Sequence, residues 1–322
     1  MLRYIINRTL RSLLTLFIVV SLVFILLRQM PVEGYFNNFD KLTETQIRVG
    51  LENLGLNSPV HIQLLRFYGN ALRGDLGVSN KYRVGYPISE LVKQKMPLSV
   101  TIGMMSVTLA LAAGLPMGVL MAKSAANRKS RFKIFERFGS AFISLIQGIP
   151  QSVYHLFIQI YGTELLNKFF RLPLLFRQSN PLTWILPVFS LSLANMALYA
   201  MWIRRYIVDE SSKDYVLLAK AKGVPPAVIS RKHLFRNAIV PLVQYIPTTI
   251  MLTLMGSLYV ESRYSIPGMG GLLVDSIKRQ DNSLVQALVL IYTAASVLGV
   301  LIGDIAIAFA DPRIRLSKKE GR

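Results

Sequence analysis

Three histidines, no cysteine and 17 acids give this 322-residue sequence little with which to do covalent chemistry. Without cysteine there is no disulfide, thiolate metal site or thiol nucleophile, and the redox compartment stays undetermined. A zinc peptidase would need His-Glu-x-x-His, an aspartyl enzyme two facing aspartates, and a serine hydrolase a base beside its nucleophile. The first two are missing, and the scattered serines, Ser144 and Ser190 among them, have no identifiable base. Gly268 and Gly270 are followed by Leu273 where a third glycine would complete a dinucleotide fingerprint, and no Gly-x-x-x-x-Gly-Lys-Ser/Thr loop cradles a phosphate. The expectation is a chain with no catalytic residue, no metal ligand and no cofactor of its own. Two ionisable groups fall inside apolar runs, His155 and Asp304. Either is a candidate coupling site for an ion-driven transporter, although Asp304, near the end of its run, is better placed to cap, pair or reach the interface. The other polar residues at such depth are neutral. Gln147, Gln151 and Tyr154 recur at i, i+4 and i+7 and are expected to share one helix face. With Asn195 and Thr248 they are the candidates for a translocation cavity, because polar side chains at membrane depth face a partner helix or a wet space.

The elements that must hold these residues are membrane helices. Hydrophobic residues make up 52% of the sequence and charged residues only 17%, too apolar for an ordinary soluble chain. Arg3, Arg8 and Arg11 precede an uncharged run from Ser12 to Leu27, followed by Arg28 with no small-x-small cleavage site, which reads as a retained first span. Residues 32 to 95 are polar and mixed, with amphipathic helices around Glu44 to Leu54 and His61 to Leu72. Uncharged runs then give a second span between Lys95 and Lys123, opened by Pro97, and a third between Arg137 and Glu164. A fourth covers Leu182 to Ile203, ended by Arg204-Arg205, a fifth lies between Arg236 and Glu261, and a sixth runs from Asn282 to about Ala310. Gly114, Pro116 and Gly118 would let a neighbour approach the second span closely. Pro241 and Pro247 in the fifth imply kinks whose freed carbonyls call for threonine hydroxyls.

Between the fourth and fifth spans lies a polar insertion with helix stop and start signals. Gly223 suits the left-handed end of a helix, Val224 before Pro225 is pushed toward extended geometry, and a proline suits the first turn of a new helix. The result is helix, sharp turn, helix, shaped to dock a partner at the membrane surface. The net charge of +20 fits no nucleic-acid module, because the basic residues are dispersed over short segments between apolar runs. Six spans put both ends on one side. With that side cytoplasmic, 22 of the 37 Lys/Arg fall in four short inner segments: the N-terminus, Lys123 to Arg137, Arg204 to Arg236, and the tail. Both termini and the insertion are therefore expected in the cytoplasm.

Several short motifs, in order, carry a family resemblance: Gly74-Asp-Leu-Gly77-Val-Ser79; Asp214-Tyr215 with Ala219, Gly223 and Pro241; Glu261 to Gly270 with its Pro267-Gly268; and Asp311-Pro-Arg313. Together they resemble ABC-importer permeases of the dipeptide/oligopeptide family and span most of the chain. The resemblance implies a type I importer permease fold, all-helical with six transmembrane helices. It divides the chain into a first span (1–30), an extracytoplasmic region (31–95), a five-helix core (96–310) with a coupling loop at 204–236, and a cytoplasmic tail (311–322). It also implies a multi-pass protein of a bacterial or archaeal cell membrane. The implied partners are a second homologous permease, two ATP-binding subunits that hold ATP and Mg, an external solute-binding protein and membrane lipid, with no nucleic acid. Asp214, Tyr215, Ala219, Lys220, Ala221, Lys222, Gly223, Val224 and Pro225 would form the contact that couples ATP hydrolysis to the helices. Leu217 stands where many importers carry a glutamate, and Gln151 to Tyr154 depart from the family's Pro-x-Phe-Trp pattern. Cargo within the family extends from peptides to nickel complexes and sugars, and an ion-coupled secondary transporter is the competing reading.

Overall fold

The protein is described here from a computed structural model covering residues 2–126, 130–171 and 173–310. Among these residues the architecture is helical, with a lone bridge between Val78 and Pro87 as the one β contact. The first helix, α1 (Leu2–Leu27), leads through two short helices, α2 (Glu44–Asn53) and α3 (Val60–Leu72). Thr43 and Gln46 close α2 with a reciprocal capping box, which fixes its start. The 39-residue α4 (Ile88–Ala126) follows. Among the described residues five helices are long and apolar enough to cross a membrane, and a sixth span results if one bent pair is counted as one.

That bent pair corrects the expected third span. The chain rises in α5 (Ser130–Gly148), turns at Ile149-Pro150 and continues in α6 (Gln151–Phe157) and, past a wide π-helical turn, α7 (Thr163–Asn167). The two arms meet at 110°. Pro150 is extended, with ψ of 135°, and cannot donate into the turn before it, so the helix breaks there. Gln147 therefore lies on one arm and Gln151 and Tyr154 on the other, and the shared face expected from their spacing does not exist.

The next helix, α8 (Leu182–Ser211), passes Arg204-Arg205, where it was expected to end, by two turns. Arg204 forms an ion pair with Glu136 of α5 there. The insertion follows as α9 (Asp214–Ala221), α10 (Pro226–Val228), a π-helical stretch and α11 (Arg236–Ala238). The fifth expected span divides into α12 (Val240–Leu254) and α13 (Leu258–Tyr264), and α14 (Met269–Lys278) and α15 (Asn282–Ala310) complete the described chain. In α12 the threonines bond elsewhere than expected: Thr249 donates to the Tyr245 carbonyl, not to the Val243 carbonyl that Pro247 frees. The tail, with Asp311-Pro-Arg, lies outside the described residues.

Glycines set the two tightest helix pairs. In α4, a Cβ on Gly114 would stand 2.7 Å from the Met196 carbonyl oxygen and one on Gly118 2.4 Å from that of Ala200, so α4 and α8 meet backbone to backbone. In α15, a Cβ on Gly303 would reach within 2.2 Å of the Gln244 carbonyl of α12. At one end of α4, Ile88 and Leu91 pack on Met269, Leu272 and Leu284. At the other, Ala122 and Lys123 adjoin Pro226 and Leu234 of the insertion. A 39-residue helix is about 58 Å long, so the Pro-Gly segment and the insertion occupy opposite ends of the bundle.

Candidate functional site

Two features gather the residues singled out in the sequence. The first is the insertion. Its α9 ends in both bonds of a Schellman motif: Val224 N–H donates to the Ala219 carbonyl at 3.1 Å and Gly223 N–H to that of Lys220 at 3.0 Å. Gly223 has φ of 72°, the left-handed conformation that this closure requires. Pro225 and Pro226 then start the second arm. Val216, Ala219 and Ile229 form a small buried core inside the hairpin, with Val224 packed against it. Ala219 thus holds the two arms together from within. Asp214, Lys220, Ala221, Lys222, Gly223 and Pro225 face out. Beside them Leu217 and Leu218, midway along α9, are 54% and 57% exposed, an apolar pair next to Lys220 and Lys222. Tyr215 is half-buried at the base, where its hydroxyl donates to Glu210 of α8 and accepts from Asn237 of α11 at 3.0 Å. The hairpin is therefore clamped to the helices on both sides of it.

The second feature is a cavity of about 410 Å³ between α6, α8 and α12. Gln151, Tyr154, Asn195 and Thr248 all line it, together with His155, Tyr245, Thr249, Thr253 and Ser257. Gln147 does not. It is exposed on the far side of the Pro150 break, with its amide directed at the Met201 sulfur 3.6 Å away. No lining side chain other than His155 can carry charge near neutrality, so the wall offers hydroxyls, amides and one imidazole. His155 and Ser190 correct the sequence reading, in which Ser190 had no base nearby. His155 Nδ1 and Ser190 Oγ lie 2.6 Å apart, both buried, joined across the α6–α8 contact. Nothing in sequence spacing relates positions 155 and 190, since the break at Pro150 sets the course of α6. Asp304, the other ionisable group singled out in the apolar runs of the sequence, is ion-paired with Arg8 and accepts from the Gln244 amide at 3.0 Å. Among the described residues no group of three His, Asp or Glu side chains could hold a metal ion.

At the opposite end from the hairpin, the Pro-Gly segment is a helix–turn–helix, not a bare turn. Glu261 of α13, 2% exposed, accepts from Ser99 Oγ of α4 at 2.7 Å and from Gly270 and Gly271 N–H at 2.7 and 3.2 Å. Ser99 Oγ in turn accepts from Met269 N–H at 2.8 Å. A Cβ on Gly268 would stand 2.4 Å from both Glu261 Oε2 and Ser99 Oγ, which is why glycine is needed there. The Gly-Asp-Leu-Gly-x-Ser turn has an equally definite role. Asp75 accepts from Gly77 N–H at 2.9 Å, and Ser79 Oγ donates to Asp281 at 2.6 Å.

Residues 114–316 match the family described as binding-protein-dependent transport system inner membrane component, and residues 1–102 match the N-terminal region of the same class of component. The dipeptide transport system permease protein DppB of Lactococcus lactis is 33% identical over 321 residues, covering 98% of this chain and all of that one. The oligopeptide transport system permease protein AppB of Bacillus subtilis is 33% identical over 317 residues, covering 97% and 98% of the two chains. Among solved structures, a chain from the inward-facing MetNI methionine ABC transporter aligns with a TM-score of 0.47 at 17% identity, over 69% of this chain and 96% of that one.

Proposed function

Because the chain belongs to the family of binding-protein-dependent transport system inner membrane components, we propose that it is one transmembrane subunit of an ATP-driven importer of di- or oligopeptides. The relatives that match nearly the whole chain are named as dipeptide and oligopeptide permeases, which supports peptides over nickel complexes or sugars as the cargo. In this reading the subunit pairs with a second homologous permease, receives cargo from an external solute-binding protein and is driven by two ATP-binding subunits that hold ATP and Mg. Both termini and the hairpin at 204–236 face the cytoplasm, residues 31–95 lie outside, 96–310 form the core and 311–322 the cytoplasmic tail. The charge bias of the short segments supports that orientation.

The observation that carries the proposal is the construction of the hairpin. It has its own buried core of Val216, Ala219 and Ile229, so its shape does not depend on a partner, yet it presents Leu217 and Leu218 to solvent beside Lys220 and Lys222. An exposed apolar pair on a preformed knob is what a groove in another subunit would bury. Push on it, and the force passes through Tyr215 to Glu210 at the end of α8 and to Asn237 at the start of the α11–α12 arm. Those two helices supply Asn195 and Thr248 to the cavity wall, so a displacement at the knob reaches the path directly. Backbone exposed to lipid cannot unravel without losing its hydrogen bonds, so the helices move as rigid bodies.

Gly223→Trp in the assembled complex tests the proposal. Open space surrounds a Cβ at this position within the subunit, so the cost there is that of holding a side chain at positive φ, about 1–2 kcal/mol, which Gly223→Ala carries equally and controls for. The indole is therefore expected to block seating of the knob, abolishing uptake while leaving the subunit in the membrane at normal abundance. Uptake at the wild-type rate from a stably assembled variant would overturn it.

A further inference from the structure

Resting on the reading of the cavity as the cargo's path, we infer that His155, braced by Ser190, is a cargo-contacting residue whose Nε2 donates a hydrogen bond to a carbonyl or carboxylate oxygen of the passing peptide. His155 lines the cavity while its ring is 2% exposed and fixed by the 2.6 Å contact between Nδ1 and Ser190 Oγ. The 2.6 Å contact is compatible with either atom as donor; the proposed role takes the serine hydroxyl as the donor, so that the neutral imidazole carries its hydrogen on Nε2 and presents one donor of fixed direction. Its neighbour Tyr154, packed edge to face at 4.5 Å between ring centroids, is 5% exposed and also lines the cavity, and its hydroxyl has no protein partner. Buried hydroxyls and ring nitrogens in protein interiors are hydrogen-bonded as a rule. Beside Tyr154, the imidazole of His155 lines the cavity with one ring nitrogen beyond its Ser190 contact, and a polar ligand entering the cavity would complete it.

The chemistry of that ligand follows from the rest of the wall. Gln151, Asn195, Thr248, Thr249 and Tyr245 offer donors and acceptors but no charge. Such a wall complements the alternating N–H and C=O groups common to all peptides and is indifferent to their side-chain charge. A cation would meet no carboxylate here.

The test uses the complete complex reconstituted in proteoliposomes, with radiolabelled Ala-Ala at saturating binding protein, so that the maximal rate reports transit and not capture. Asparagine places its amide near the position of Nδ1, whereas glutamine reaches that of Nε2. His155→Asn and Ser190→Ala are expected to lower the maximal uptake rate about five- to tenfold, the effect of one lost hydrogen bond. His155→Gln is expected to stay within about twofold of wild type by the same estimate, with membrane abundance unchanged in all three. Equal impairment of the Asn and Gln variants, or no impairment in either, overturns the role of Nε2. Asn195→Trp, which should plug the cavity, separates the two claims. If it stops uptake while the His155 variants transport normally, only the His155 inference falls. If it leaves uptake intact, the cavity is not the path and both fall.

Discussion

Arg8 and Asp304 stand 296 positions apart and form an ion pair that fastens the first helix to the last. The carboxylate is 4% exposed and shares its second oxygen with the Gln244 amide, so α1, α12 and α15 converge on one charge. Breaking a buried pair from one side leaves the other charge uncompensated, whereas removing both is far milder. Arg8→Leu is expected to cost about 2–3 kcal/mol, below the full range for buried pairs because the guanidinium is partly exposed. The double variant Arg8→Leu/Asp304→Leu should recover most of that loss. Thermal unfolding of the purified protein in detergent checks the cycle; additive losses would show that the two side chains do not act as a pair.

The hairpin separates packing from contact at neighbouring positions. Ala219→Leu would force three extra carbons into the Val216–Ile229 core, at a cost of about 1–3 kcal/mol in the hairpin's stability. Leu217→Asp and Leu218→Asp sit on the open face and should leave folding within about 0.5 kcal/mol. Limited proteolysis near Lys222 should therefore accelerate in the first variant alone. Co-purification with the ATP-binding subunits should fail in the aspartate variants, and their retention at wild-type levels would place the contact elsewhere.

Much of this was legible because it follows from local chemistry. Long uncharged runs gave the spans other than the third, which bends, and the Gly223-Val-Pro-Pro226 sequence gave the hairpin, down to the left-handed glycine. Four of the five polar residues nominated for a cavity do line one, although the helical spacing that linked Gln147, Gln151 and Tyr154 failed at Pro150. The proline was visible; the 110° turn depends on which neighbours receive the second arm, and that is tertiary information. The His155–Ser190 pair and the Ser99–Glu261 contact escaped for the same reason, since they join helices far apart in sequence. Asp281 left a signal that went unused: an acid immediately before the apolar run of α15 reads as an N-cap.

Glu261 makes a sharp test of the Pro-Gly segment. Its two oxygens accept from one hydroxyl and two backbone N–H groups, so Glu261→Gln, with its oxygen kept on the N–H groups, would turn its amide to Ser99 Oγ, which already accepts from Met269 N–H, and would leave the serine proton without its acceptor. Leaving such buried groups unsatisfied costs about 1–3 kcal/mol. Ser99→Ala removes one partner and should cost less, about 1 kcal/mol. Gly268→Ala, whose methyl would overlap both side chains, should be at least as damaging as Glu261→Gln. The rank order in melting temperature, with Ser99→Ala mildest, is the readout, and a Glu261→Gln protein as stable as wild type would contradict the arrangement.

Asp281 holds the loop at the same end of the bundle by a different device. Its Oδ2 accepts from Ser79 Oγ and from the consecutive N–H groups of Asn80, Lys81 and Tyr82 at 2.9–3.0 Å, while Oδ1 caps α15 through Leu284 N–H at 3.1 Å. Asp281→Asn keeps the shape but puts an amide where one oxygen stood, so it can satisfy either the loop or the cap and not both. The cap alone contributes about 1 kcal/mol, and Asn is itself a good cap residue. The side chain should therefore turn its oxygen to Leu284 and release the loop. Hydrogen exchange is expected to accelerate at Asn80, Lys81 and Tyr82 while the first turn of α15 stays protected, and Asp281→Ala should lose protection at both. Unchanged exchange at residues 80–82 in the asparagine variant would mean that the loop is held by its flanking contacts, such as the Arg83 guanidinium over the Tyr86 ring, and not by the carboxylate.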